Sequence, residues 1–193
     1  MIIKLILASS STYRKALMTR LNVEFSTISP DIDESEINGE NAREMAIRLA
    51  FDKASVIANQ SANSIIIGAD QTVNCDGRIL GKPGNFEIAK TQLRNMSGKE
   101  VIFYTSLCVI NTETKLCQQE LEQYIVSFRE LDADEISRYL HADKPFNCAG
   151  SFKSESLGIS LLDKMKGDDP TALVGLPLIK LSKMLRNTGL IIP

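Results

Sequence analysis

The stretch Ser64-Ile-Ile-Ile-Gly-Ala-Asp-Gln-Thr-Val73 constrains this chain more than any other. A short apolar run rich in Ile and bounded by polar positions reads as a buried strand. Gly68 lets other backbone come close, and Asp70 is expected where that strand leaves the core. In open α/β sheets ligands bind beyond the carboxyl ends of strands, so an acid delivered there can hold a metal or activate water. The competing reading is an aspartate that caps a turn.

The rest of the chain supplies enough material to build around such a strand. Its 193 residues, 44% of them hydrophobic, fit one domain over residues 1–193, or two lobes around a cleft. A formal net charge of −2 leaves no basic face for neutralising phosphates, which argues against polymeric nucleic acid as a partner. The opening MIIKLILA is interrupted by Lys4 and is too short for a signal peptide, so it reads as a first strand. No run approaches the roughly 18 apolar residues of a membrane span, and a soluble protein is expected. Cys75, Cys108, Cys117 and Cys148 form no C-x-x-C pair and read as reduced thiols, while the lone His141 reads as solvated surface.

After the first strand, LASSSTYRKALM places three serines before a helical pattern, with Ser9 and Ser11 as N-cap candidates. A strand feeding a serine-rich turn and a helix aims backbone N–H groups at one spot, and Arg14 adds a fork of donors suited to phosphate. Ordinary capping with a solvated arginine is the alternative. A short strand over 24–28 then leads into the acidic loop SPDIDESEINGE, whose carboxylates, Glu34 among them, form a solvated face or help hold Mg²⁺ beside phosphate. Residues 41–58 carry one apolar helical stripe with Lys53 near its end, and by itself Lys53 reads as surface.

Beyond the organising strand, Cys75-Asp-Gly77 marks a turn, and Lys82 is displayed from a loop between Gly81 and Pro83. Residues 85–96 form another amphipathic helix stopped by Gly98, and 101–110 with 120–128 read as a long hairpin that adds antiparallel strands to the sheet. Asp132 with Glu135 opens a further helix. Cys148-Ala-Gly-Ser-Phe-Lys-Ser-Glu-Ser-Leu-Gly158 is a loop suited to ligand contacts or a plain surface connection. Residues 159–162 look like a strand, and Pro177 stands early in the last helix.

Taken in order, LASSSTYR, IDE, GADQTV, GKP, CAGSFKSESLG and VGLPL resemble the Maf family of nucleoside triphosphate pyrophosphatases, over residues 3 to about 186. The resemblance implies an α/β fold: a mixed central twisted sheet flanked by helices, with two lobes around a cleft, akin to the inosine triphosphatase architecture. It also implies a cytoplasmic enzyme that is often dimeric. Asp70 matches the catalytic acid. Ser9, Arg14, Lys53 and Lys82 match positions at the phosphate end, and Glu34 joins Asp70 as an acid near a divalent metal, Mg²⁺ or Mn²⁺. Tyr13, Gln71 and Glu155 match the positions that set base specificity, and these residue types resemble the branch that hydrolyses 7-methyl-GTP. The sister branch acts on dTTP and UTP. An older association with septum formation supplies a third, non-enzymatic reading. The family motif usually has Pro where this chain has Thr12, which implies a looser entry into the first helix.

Overall fold

A computed structural model describes residues 3–192. The first two residues of the expected opening strand lie outside them, and β1 runs from Lys4–Ala8. Next come α1 (Thr12–Thr19), β2 (Ser26–Ile28), α2 (Ala42–Ala58), β3 (Ser64–Cys75), β4 (Arg78–Leu80) and α3 (Phe86–Met96). The second half holds β5 (Glu100–Asn111), β6 (Cys117–Phe128), α4 (Ala133–Asp143), β7 (Leu162–Lys166) and α5 (Leu178–Asn187). Among the described residues the sheet has seven strands in the order β2-β1-β3-β5-β6-β7, with β4 pairing the far end of β3. It is mixed: β2, β1 and β3 run parallel, and β3, β5, β6 and β7 pair antiparallel.

The isoleucines of β3 explain why this strand is central. Ile65, Ile66 and Ile67 are each 0% exposed, because helices cover both faces of the sheet at that point. Burying side chains of this size is worth about 1.5–3 kcal/mol apiece. Ile65 and Ile67 face a cluster with Leu17 and Met18 of α1 and Leu181 and Leu185 of α5. Ile66 faces the opposite way, toward Ala50, Ala54 and Ile57 of α2.

Small residues bring α2 unusually near. Ala42, Ala46, Ala50 and Ala54 recur every four residues, so they share one face of the helix, and all are buried. A Cβ placed on Gly68 would overlap the Ala50 carbonyl oxygen and come within 2.8 Å of Ala54. The glycine and the alanine stripe therefore set the distance between helix and strand, and with it the reach of the neighbouring Lys53.

The cleft follows from strand pairing. β1 pairs with β3 only as far as Ala8 opposite Gly68, and β4 takes up the same edge at Val73 opposite Leu80. Between these points residues 69–72 have no strand partner on that side, while β5 continues on the other, with Ser106 opposite Asp70. One end of β3 belongs to the parallel lobe. Its other end enters a second core, where Val73 packs with Leu93 and Met96 of α3, Ile136 and Leu140 of α4, and Phe103, Phe128 and Phe152.

Several expectations are corrected here. Asp70 does not follow the end of a strand or cap a turn: it lies midway along a 12-residue strand, at the carboxyl end of the parallel portion only. Residues 157–161 form a 3-10 turn, with Leu157 and Ile159 about half exposed, and the strand there is β7, which starts at Leu162. Pro177 is the N-cap of α5, not a residue within it. The turn into α1 closes without proline, since Ser11 caps it by accepting from the Arg14 N–H at 3.3 Å. No helix among the described residues is long and apolar enough to cross a membrane.

Candidate active site

The break between β1 and β4 opens into a cavity of about 680 Å³. The β1–α1 turn contributes Ser9 and Arg14, α2 contributes Lys53, β3 contributes Asp70 and Gln71, and the loop after β4 contributes Lys82. Cys148, Phe152 and Glu155 line it from the other lobe's side, Tyr13 borders it from α1, and Glu34 reaches it from the acidic loop. All nine residues singled out from sequence therefore border one cavity.

Its chemical centre is a buried ion pair. Side chains alternate along β3, so Gly68, Asp70 and Thr72 all face α2. Lys53, one residue from Ala54, is thereby aimed at the acid: its Nζ donates to Asp70 Oδ1 at 2.6 Å and lies 2.9 Å from Glu34 Oε2. Lys53 is 5% exposed and Asp70 6%, which overturns the surface reading of the lysine. Thr72 fixes the neighbouring register by donating to the Ala42 carbonyl at 2.5 Å.

Further charges stand close to this pair. Burial opposes the Glu34 charge, but the hydrogen bond and charge of Lys53, with Lys82 and Arg14 nearby, hold its carboxyl below the ordinary range. Burial likewise lowers the Arg14 pKa against the pull of Asp70 and Glu34, yet a guanidinium starting above about 12 stays charged. Arg14 Nε donates to the Gly175 carbonyl at 2.8 Å, which leaves its terminal nitrogens for an anion. Ser9 Oγ accepts from the Ser11 N–H at 3.1 Å, ordering the turn. Lys82 is exposed on its loop, which is tied to the other lobe where Gln92 and Gly150 both donate to the Gly81 carbonyl.

The far end of the cavity is chemically different. Burial, then the neighbouring Cys148, Glu155 and Asp143, push the Tyr13 phenol up to about 12. Glu155 is exposed. Gln71 points to the opposite face of the sheet from Asp70, where its amide nitrogen donates to Thr105 Oγ1 at 3.0 Å and to the Ala172 carbonyl at 2.8 Å. The side-chain oxygen is its remaining acceptor.

Sequence reasoning missed two kinds of support. Arg48 holds the acidic loop, with Nε 2.6 Å from Glu40 Oε1 and a terminal nitrogen 3.1 Å from the Ser35 carbonyl. Its i, i+4 pairing with Asp52 was the available signal. Gly175 and Cys148 lie within the motifs but carry no role there, and nothing local marks a carbonyl that grips an arginine.

An α/β sheet broken at one edge, with a buried acid and several cations meeting in the gap, makes a cleft whose chemistry can accept a polyphosphate anion. The chain belongs to the Maf-like protein family, whose description matches residues 4–188. It is 50% identical over 192 residues to the 7-methyl-GTP pyrophosphatase of Idiomarina loihiensis, covering 98% of this chain and 97% of that one. It is 49% identical over 189 residues to the 7-methyl-GTP pyrophosphatase of Pseudomonas aeruginosa, covering 98% of each. Among solved structures, the Staphylococcus aureus Ham1 protein aligns with a TM-score of 0.54 at 12% identity, covering 96% of this chain and 99% of that one, a likeness of fold.

Proposed function

We propose that this protein hydrolyses the anhydride between the α and β phosphates of 7-methyl-GTP, yielding 7-methyl-GMP and pyrophosphate. The observation that supports this most is the shared cavity: Asp70, Glu34, Lys53 and Arg14 meet at one end, and Tyr13 and Glu155 stand at the other. The names of the half-identical relatives point the same way.

In this reading Asp70 Oδ2 takes the proton of the water that attacks the α phosphorus, while Oδ1 keeps its bond to Lys53. The Pα–O bond to the β phosphate breaks, and pyrophosphate leaves with the bridging oxygen. Arg14, Lys53 and Lys82 neutralise the charge that grows on that leaving group. The charge-assisted donors hold the three phosphates in line with the water, which makes positioning a large share of the rate enhancement.

The oxygens of Asp70 and Glu34 already converge on one cation, the Lys53 ammonium, at 2.6 and 2.9 Å. Among the described residues no group of three or more acids, histidines or cysteines forms a closed cage. A pair of carboxylates fits Mg²⁺ or Mn²⁺, which takes its other oxygens from water and phosphate. Bound by Asp70 and Glu34, such an ion supplies phosphate charge neutralisation and a lowered water pKa.

At the base end, N7-methylated guanine carries a delocalised positive charge, and stacking on Tyr13 is worth about 0.5–2 kcal/mol. Glu155 can accept from both N1–H and the exocyclic amine of that base, a donor pair that pyrimidines lack. The reading places the reaction in the cytoplasm, on a free nucleotide. It is tested by rates on a nucleotide panel with wild type and Glu155→Gln: wild type should prefer 7-methyl-GTP over dTTP and UTP, and the variant should lose much of that preference. Equal rates on all three with wild type would remove the assignment of substrate, and nucleotide binding without pyrophosphate release would remove the assignment of activity.

A further inference from the structure

We propose that Asp143 is a positioning residue for base selection: it clamps the segment on both sides of Glu155 and so fixes that carboxylate at the base end of the cleft. This rests on the reading of Glu155 given above and adds a residue that does not itself line the cavity.

Asp143 closes α4, and the chain turns sharply behind it because Lys144 adopts the left-handed conformation, at φ 46° and ψ 57°. Every bond it makes to a side chain goes to the segment that carries Glu155. Its carbonyl accepts from Lys153 Nζ at 2.5 Å, and its Oδ1 accepts from Ser156 Oγ at 2.6 Å. The same Oδ1 stands 3.8 Å from Lys153 Nζ. The Lys153 N–H is fixed as well, donating to Tyr139 Oη at 3.2 Å from the same helix. Glu155 is thus bracketed: the residues two before it and one after it are both tied to the end of α4, while its own side chain stays exposed.

Two further observations separate this from an ordinary loop anchor. The Asp143 side chain is only 8% exposed, and its Oδ2 is buried with no hydrogen-bond partner. An unpaired buried carboxylate oxygen is costly to keep. A serine or asparagine would serve to hold Ser156 alone, so the charge itself calls for a use. That charge is felt in the cleft: Asp143 and Glu155 both raise the Tyr13 phenol, after the larger effects of burial and Cys148. Asp143 and Glu155 both face this end of the cavity, with Lys153 beside Asp143, and their negative charge favours a cationic purine over a neutral one. The clamp and the field act on the same step, recognition of the base, and leave the phosphate end alone.

The experiment compares wild type, Asp143→Ala and Asp143→Asn, the last keeping an oxygen for Ser156 while removing the charge. In Asp143→Ala, amide hydrogen exchange across residues 153–156 should be about tenfold faster or more. The KM for 7-methyl-GTP should rise about five- to tenfold with kcat within about twofold, and Asp143→Asn should fall between it and wild type. Inhibition by inorganic tripolyphosphate, which has no base, should shift by less than about twofold. Wild-type KM in both variants, or a loss of kcat and tripolyphosphate binding together, overturns the proposal. If Asp143→Ala fails to fold, Asp143→Asn carries the same test through its KM. If wild type shows no preference for 7-methyl-GTP, the functional reading falls on its own, and unaltered exchange at 153–156 in a folded Asp143→Ala overturns the clamp independently.

Discussion

Lys53 Nζ lies 2.6 Å from Asp70 Oδ1 and 2.9 Å from Glu34 Oε2, so one buried ammonium joins the acid of β3 to the acid of the loop before α2. Asp70 is as buried as the lysine that faces it, while the Glu34 side chain is half exposed. The arrangement therefore has a buried inner half and a solvent-facing outer half.

Removing the ammonium strands a buried carboxylate. Lys53→Met should cost about 3 kcal/mol of stability, the low end for removing one partner of a buried pair, because Glu34 leaves the outer half of this one open to solvent. Urea unfolding of both proteins reads this directly. A change below about 0.5 kcal/mol would show that the pair is not desolvated as described.

Gly68 holds α2 against the sheet. Gly68→Ala should destabilise the fold by about 3 kcal/mol, since the added methyl meets the Ala50 carbonyl, a backbone atom that cannot move alone. The same change should lengthen the Lys53–Asp70 contact and lower turnover. A variant that melts with wild type would contradict the close approach.

Arg48 acts at one remove. Two short bonds join it to Glu40, whose side chain is only 9% exposed, so Arg48→Ala should cost about 1–3 kcal/mol of stability. It frees the loop that carries Glu34, and the Mg²⁺ concentration for half-maximal rate should rise about three- to tenfold. Titrating Mg²⁺ at saturating nucleotide checks this, and an unchanged midpoint would detach the loop from the metal-binding half of the proposal.

Tyr13 gives a pH signature. Burial is the main cause that raises its phenol from 10.0 to about 12, so the folded protein keeps the proton where the unfolded chain releases it. The Tyr13 contribution to stability is then fully present below pH 10 and lost as pH climbs toward 12. Absorbance at the tyrosinate band, wild type minus Tyr13→Phe, should show one phenol titrating late. Titration of that phenol near its ordinary value would mean the ring stands in water.

Local pattern made most elements legible. The stripe of Ala42, Ala46, Ala50 and Ala54, the Asp132 cap and the β5–β6 hairpin follow from periodicity and end signals that do not depend on distant residues. What pattern could not show was which strand stops. β3 continues past Asp70 because β5 supports it, while β1 ends at Ala8, so the acid sits in a gap made by a neighbour. Lys53 is illegible for the same reason: next to Ala54 it borders the buried stripe, and only the approach of α2 over Gly68 encloses its ammonium. Through a family resemblance the six motifs hold the cleft's candidate residues except Lys53, which lies between them. Asp143 and Arg48 lie outside those motifs, and their roles rest on bonds that only the folded chain forms.

The most direct test of the central claim is phosphorus NMR of the products formed from 7-methyl-GTP and Mg²⁺ by wild type and by Asp70→Asn. Wild type should release pyrophosphate and 7-methyl-GMP together, and Asp70→Asn should stay folded while losing about a thousandfold in rate. Orthophosphate as the first product, or an Asp70→Asn variant that still releases pyrophosphate at the wild-type rate, would contradict the assignment of Asp70 and its cleft.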